Sequence, residues 1–323
     1  MNKFAKPVIF CSKCLGFDAC RWNGVTIPDS FVESLKKYIE FKTTCPEFEI
    51  GLGVPRKQIG IVKINNEYRL IQHETELDVT EKMISFTDKY LNTLRNIDGF
   101  IMKEGSPSCG IKDVKIYPKI GRVPASERGA GLFGKEVLNR FPNIAVVDEQ
   151  RLSNFQIREH FLTRIFASAA LRELENSNKL SALVKFHSSY KLLLLQYNQS
   201  IYRSLGKIVA NHEKLKFEEI FSVYKDNFLN AFIKMPRKGS TINVLMHAFG
   251  YFSKKISKPE RDLFFELLEK YRDNLICISS ITSQLKMFIA RFGEEYLAEQ
   301  VFFNPFPEKL ISLTDSGKGR EVK

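Results

Sequence analysis

The sequence predicts an α/β domain built on a parallel, Rossmann-like sheet, followed by an all-α domain. Three observations predict this. Short apolar runs alternate with amphipathic helical stretches through the first half, strand-like runs stop near residue 150, and five of the six cysteines fall within the first 110 residues. Strands separated by helices pair in parallel, because each crossover returns the chain to the same edge of the sheet.

In order, "PVIFCS" (7–12) reads as a strand, and "SFVESLKKYIEF" (30–41) as a helix started by Asp29 or Ser30. "IEFKTT" (39–44) is a short strand, and "GIVKINNEYRLI" (60–71) is a hairpin turning at Asn65 and Asn66, expected as a local addition. "VTEKMISFTDKYLNTLRN" (79–96) has the spacing of a long helix, "GFIMKE" (99–104) of a strand, "LFGKEVLNRF" (132–141) of a helix and "NIAVVDE" (143–149) of a strand. Beyond them, "FQIREHFLTRIFASAALREL" (155–174) is helical. "LVKFHSSYKLLLLQYNQSIYRSLGKIVA" (183–210) then places Leu183, Phe186, His187, Tyr190, Leu193, Leu194 and Tyr197 on one stripe. Further helices follow, punctuated by Pro236, Pro259 and Pro305, and the aromatic stripe "FEEIFSVYKDNFLNAF" (217–232) reads as core. The expected organisation is an α/β domain over 1–150, a helical connector over 151–184, an all-α domain over 185–310 and a flexible tail over 311–323.

A chain of 323 residues accommodates two domains, and 44% hydrophobic with 27% charged residues excludes a disordered or fibrous reading. No apolar run approaches the roughly 18 residues of a membrane helix. "MNKFAKPVIFCSKC" (1–14) has no signal-peptide core, so a cytoplasmic location is expected. Residues 1–150 carry 22 Lys and Arg against 19 Asp and Glu, whereas the remainder carries 27 against 18. The basic second half suits an anionic partner such as nucleic acid, or an ordinarily solvated surface.

Ligands and reactive groups in an open parallel sheet gather outside the carboxyl ends of its strands. Cys14, Cys45 and Cys109 each follow a predicted strand, so three thiols far apart in sequence meet at one sheet edge. "SPSCG" (106–110) has the proline and glycine of a sharp turn that presents Cys109 there. "CSKC" (11–14) is a local C-x-x-C pair, yet Cys11 lies inside the apolar strand and is expected to be buried. Cys277, in "DNLICISSI", is expected as a small buried hydrophobe.

"CLGFDACRWNG" (14–24), "CPEFEIGLGVPR" (45–56), "KEGSPSCG" (103–110) and "RFPNIAVVDEQRL" (140–152) together resemble the ordered motifs of the bacterial thiouracil and thiouridine desulfidase family. "HSSYK" (187–191), "MHAFGYF" (246–252) and "YLAEQVFFNPFP" (296–307) resemble the YbgA-type helical domain often fused to it. The first resemblance implies a [4Fe-4S] cluster on Cys14, Cys45 and Cys109, with the fourth iron open to the sulfur of a thiolated pyrimidine. The substrate would be a free base, a nucleoside or a residue within tRNA, and water would replace its sulfur without net electron transfer. Glu47 would move the proton and Ser106 would hydrogen-bond to the reacting group; Ser108 and Arg56 are expected beside the substrate, with a structural ion pair as the other reading of Arg56. Trp22 and Asn23 stand where the family usually has tyrosine and aspartate, and Cys20 is either a packed thiol or a participant.

Other readings stay open. Three thiolates plus water also describe a zinc hydrolase, and the cysteines could instead sense oxidants in a nucleic-acid-binding or regulatory module. "SERGAGLFG" (126–134) could cradle a phosphate at a helix N-terminus. His187 and Lys191, four apart on one helix face, could mark a second site with His247, or His187 could be a satisfied interface histidine.

Overall fold

The computed structural model describes residues 4–121, 123–312 and 314–315. The chain divides into two compact units, one running to Ala170 and resuming at Lys309, the other spanning Leu171–Glu308. Of the expected tail, residues 313 and 316–323 lie outside the described residues.

The first unit opens with β1 (Val8–Ser12), buried along its whole length. A strand without a polar residue until its last position suits a parallel sheet covered on both faces. Helix α1 (Ser30–Leu35) starts where the Asp29 carboxylate accepts the Val32 amide at 2.8 Å, and β2 (Glu40–Thr44) follows. The later elements are β3 (Ile59–Ile64), β4 (Glu67–Gln72), β5 (Leu77–Asp78), α2 (Thr80–Thr93) and β6 (Gly99–Met102). They continue with β7 (Val114–Tyr117), β8 (Glu127–Gly129), α3 (Leu132–Arg140), β9 (Ala145–Asp148) and α4 (Phe155–Glu175). All four strands expected in the parallel sheet are there, in the order β2-β1-β6-β9, with Ile9 opposite Gly99 and Met102 opposite Asp148.

The hairpin is more than a local addition. It turns at Asn65 and Asn66, whose φ values of 50° and 65° are the left-handed pair that a two-residue loop demands. It then forms the middle of a second, five-stranded sheet, β5-β4-β3-β7-β8, in which β3 and β7 run parallel and the other pairs antiparallel. Ile59, Ile61 and Leu70 of that hairpin join Phe10 and Phe100 of the first sheet, Met83 of α2 and Phe133 of α3 in one apolar cluster. Burial of that face requires a whole sheet behind it.

The second unit is helical, as expected: α5 (Leu180–Ser189), α6 (Lys191–Tyr197), α7 (Gln199–Ala210), α8 (Phe217–Ala231), α9 (Lys238–Gly250), α10 (Lys258–Arg272), α11 (Ile278–Phe292) and α12 (Glu295–Ala298). The stripe over 183–210 is divided among three helices. The backbone breaks at Tyr190, and again at Asn198, whose extended residue caps α7 by accepting the Ile201 amide at 3.0 Å. His187 and Lys191 therefore sit on different helices. His187 stacks flat on Tyr202 with ring centres 5.3 Å apart and has Nδ1 3.2 Å from the Tyr224 hydroxyl, while Lys191 lies over Tyr296 and His247 is exposed. Burial pulls the His187 pKa down to about 4, the behaviour of a packed neutral imidazole. The stripe of α8 is core through Phe221, Tyr224 and Phe228. Cys277, in contrast, is exposed: α11 begins one residue later, so Cys277 occupies the cap position, off the inner face, with Sγ 2.8 Å from Ser279 Oγ. Among the described residues no helix is long and apolar enough to cross a membrane.

Candidate active site

Three neighbouring parallel strands, β2, β1 and β6, end at Thr44, Ser12 and Met102, and the chain leaving each carries one of the expected cysteines. A cavity of about 410 Å³ at this edge is lined by Cys14, Cys45 and Cys109 together with Cys20, Glu47, Arg56 and Ser106. Ser108 does not line it.

Each thiol is placed by local backbone hydrogen bonds. Cys14 lies within a tight turn in which the Leu15 amide donates to the Ser12 carbonyl at 2.9 Å, and its own carbonyl accepts the Ile27 amide at 2.8 Å. Cys45 starts a helical turn, its carbonyl accepting the amides of Phe48 and Glu49, each at 3.0 Å. Ser106 Oγ accepts the amides of Ser108 at 3.2 Å and Cys109 at 3.0 Å, so the serine shapes the loop that presents Cys109.

Helix α3 packs its first turn against that loop. The Gly131, Leu132 and Gly134 amides donate to the carbonyls of Gly110, Pro107 and Ser108 at 2.8, 3.1 and 2.9 Å. A Cβ at Gly131 would lie 2.4 Å from the Ser108 oxygen, and one at Gly134 2.4 Å from the Gly110 oxygen. The glycines of "SERGAGLFG" therefore serve close backbone approach, and the amides that could have cradled a phosphate are occupied by the Cys109 loop.

Glu47 sits at the centre of a hydrogen-bonded set. Its Oε1 accepts the Ser108 hydroxyl at 3.0 Å and lies 3.5 Å from that of Ser106, while its Oε2 accepts Arg56 Nε at 3.0 Å and Nη2 at 2.7 Å. The Arg56 and Glu47 side chains are only 3% and 14% exposed. Arg56 Nη1 donates to the carbonyls of Cys20 and Gly53, each at 3.0 Å, and Nη2 also reaches the Cys45 sulfur at 3.9 Å. All five donors of the guanidinium are engaged. Arg56, read from the sequence either as steering an anionic substrate or as a structural ion pair, pairs with Glu47 and orients it. Ser108, expected beside the substrate, is wholly buried and gives its hydroxyl to the same carboxylate.

The thiols differ in acidity. A hydrogen bond from the Cys20 side chain, helped by the Phe48 amide and the Arg56 charge and opposed by burial, holds Cys45 down to about 7. Burial, with Cys45 nearby, pushes Cys14 up to about 11 and Cys109 well above its usual value. The same bond to Cys45 raises Cys20. Cys11 is buried within β1 and lies outside the cavity. Among the described residues, no three His, Cys, Asp or Glu side chains converge tightly enough to hold a single metal ion. Trp22 lines the cavity; Asn23 does not. Lys103 lines it too and pairs with Glu149 at the end of β9, a pair not singled out from the sequence, although Lys103 directly follows β6.

Comparison with known proteins agrees with this architecture. The family model described as 2-thiouracil desulfurase matches residues 9–149, and that described as a protein of unknown function (DUF1722) matches 191–307. The *Escherichia coli* (strain K12) protein YbgA is 31% identical over 158 residues, 48% of this chain and 93% of the relative. The *Bacillus subtilis* (strain 168) protein YbbK is 32% identical over 114 residues, 32% of this chain and 73% of the relative. A solved structure described as the [4Fe-4S]-dependent thiouracil desulfidase TudS is 27% identical, covering 46% of this chain and 93% of that one with a TM-score of 0.35. Cysteines at three parallel strand ends and the sequence matches lead to one assignment: the chain belongs to the 2-thiouracil desulfurase family through its first half and to the DUF1722 family through its second.

Proposed function

We propose that the cavity hydrolytically removes sulfur from a thiolated pyrimidine, with Cys14, Cys45 and Cys109 holding a [4Fe-4S] cluster. The observation that carries this reading is the meeting of Cys14, Cys45 and Cys109, with Cys20 beside them, and a clamped carboxylate in one cavity. Thiolates are the natural donors for iron–sulfur irons. When bound, a cluster with three protein ligands supplies an open Lewis-acidic iron for the substrate's sulfur.

The protein's own part is proton movement and orientation. Glu47 takes a proton from the water that attacks the thiocarbonyl carbon. Arg56 and Ser108 hold its two oxygens in place, so little reorganisation accompanies the transfer. Ser106 shapes the Cys109 loop and places a second hydroxyl near the carboxylate. The balance is thiocarbonyl plus water giving carbonyl plus hydrogen sulfide, with no electrons gained or lost. Turnover of 2-thiouracil in ¹⁸O-labelled water tests it: the uracil should carry one labelled oxygen without any added reductant. A strict requirement for a reductant would refute the hydrolytic reading.

The second half, with 27 basic against 18 acidic residues over 151–323, is proposed to deliver the same chemistry to thiolated tRNA. Neutralised phosphates release counterions, so tRNA turnover by the full chain should fall steeply with salt while turnover of the free thiobase stays level. Parallel salt responses for both substrates would remove tRNA from the proposal.

A further inference from the structure

The saturation of Arg56 leaves the cavity without the cation that would be expected to meet a substrate, and the structure offers another. Lys103 leaves β6 beside Ser12, its amide donating to Ser12 Oγ at 2.9 Å, so its backbone is tied to β1. Its ammonium pairs with Glu149 and donates to the Glu104 carbonyl at 3.0 Å. Glu149 is fixed in turn by the Glu104 amide at 2.8 Å on its other oxygen. The Lys103 and Glu149 side chains are 16% and 8% exposed.

An ammonium has three donors. Glu149 and the Glu104 carbonyl take two, leaving one on a side chain that lines the cavity. The other basic lining residues are placed differently: Lys13 is paired with Asp18 at 2.8 Å, and the Arg21 side chain, unlike its carbonyl, which accepts the Gly24 amide at 2.9 Å, has no hydrogen-bond partner among the described residues. A flexible cation pays rotamer entropy to engage a ligand, whereas a clamped one has already lost it.

We infer that Lys103, clamped by Glu149, is a substrate-specificity residue that donates its remaining N–H to an exocyclic oxygen of the pyrimidine. The inference rests on the thiopyrimidine reading above. It assigns Lys103 to the ring's carbonyl oxygen and leaves the thiocarbonyl to the thiol side of the cavity. Bases with a carbonyl acceptor are thereby preferred over equally sized bases without one.

The experiment is calorimetric titration of the anaerobically reconstituted full chain with uracil, which carries the acceptor and does not turn over. Loss of one hydrogen bond to a charged donor should weaken uracil binding by roughly ten- to a hundredfold in Lys103→Met. Iron content and thermal midpoint should stay close to those of the unmodified chain. In turnover of 2-thiouracil the same change should raise KM more than it lowers kcat, the signature of binding shared by ground and transition states. Glu149→Gln keeps the lysine but loosens its clamp, and should weaken uracil binding by several-fold. It also serves as the deciding variant should Lys103→Met lose its iron. Unchanged uracil affinity in the iron-loaded Lys103→Met or Glu149→Gln chain overturns the inference, as does undetectable uracil binding by the unmodified chain. Failure of the unmodified chain to take up iron would instead strike the cluster reading, which is a separate result.

Discussion

Arg56→Met removes the guanidinium that joins four groups: the Glu47 carboxylate, the carbonyls of Cys20 and Gly53, and the Cys45 sulfur. Both partners of the ion pair are nearly buried, so the variant leaves Glu47 without its counter-charge in a low-dielectric setting. Breaking such a pair costs about 3–5 kcal/mol, a large share of the roughly 5–15 kcal/mol that holds a domain together. With a urea slope of about 1–3 kcal/mol per molar, the unfolding midpoint should fall by on the order of 1–5 M. Trp22 is the only tryptophan in the chain and belongs to the first unit, so its fluorescence in the iron-free full chain reports that unit alone. Glu47→Leu combined with Arg56→Met should recover much of the loss, because no buried charge is then left unpaired. A midpoint shift below about 0.3 M would refute the reasoning, since it would mean that the pair behaves like a solvated surface bridge.

Other outcomes follow from the same geometry. Glu47→Gln should keep the iron yet lose desulfuration by roughly 100-fold or more, measured as uracil release, because the amide cannot carry the proton. Gly134→Ala should displace the Cys109 loop, since the new Cβ would meet the Gly110 and Cys109 carbonyl oxygens at 2.4 and 2.7 Å, and iron retention after gel filtration should fall well below that of the unmodified chain. His187 has a folded pKa near 4, below the roughly 6.5 of an unfolded chain, so its contribution is present above pH 6.5 and is lost as pH falls through 4. Discounted for its partial exposure, the loss is on the order of 1–2 kcal/mol. It should appear as a drop in the urea midpoint of helical circular dichroism from pH 7.5 to 4.5 that His187→Phe reduces, and an identical drop in that variant would assign the effect elsewhere.

Two of the three strands that carry the site were legible because they are nearly pure apolar runs: "VIFC" and "GFIM" can only be buried, and the cysteines that follow must leave the sheet at its carboxyl edge; the third, Glu40–Thr44, is a half-exposed strand of mixed residues. The second sheet was not legible beyond its hairpin. Its remaining strands are short, Glu127–Gly129 spanning three residues, and their pairing depends on contacts distant in sequence. The glycines after Ser126 looked like a phosphate loop, because sequence alone does not distinguish a glycine that admits a ligand from one that admits another stretch of backbone. Arg56 escaped a definite reading for a similar reason: two of its acceptors are carbonyls of irregular chain at Cys20 and Gly53. The breaks at Tyr190 and Asn198 carry neither proline nor glycine, so the apolar period runs through them unmarked.

The central claim is that Cys14, Cys45 and Cys109 jointly hold a four-iron cluster. Iron and acid-labile sulfide analysis of the anaerobically reconstituted full chain, alongside single alanine variants of each cysteine, tests it most directly. The unmodified chain should bind about four irons with matching sulfide. Alanine at Cys14, Cys45 or Cys109 should abolish that binding, and alanine at Cys11 or Cys277 should leave it intact. Stoichiometric zinc with no iron uptake, or full iron retention in any of the three ligand variants, would contradict the account.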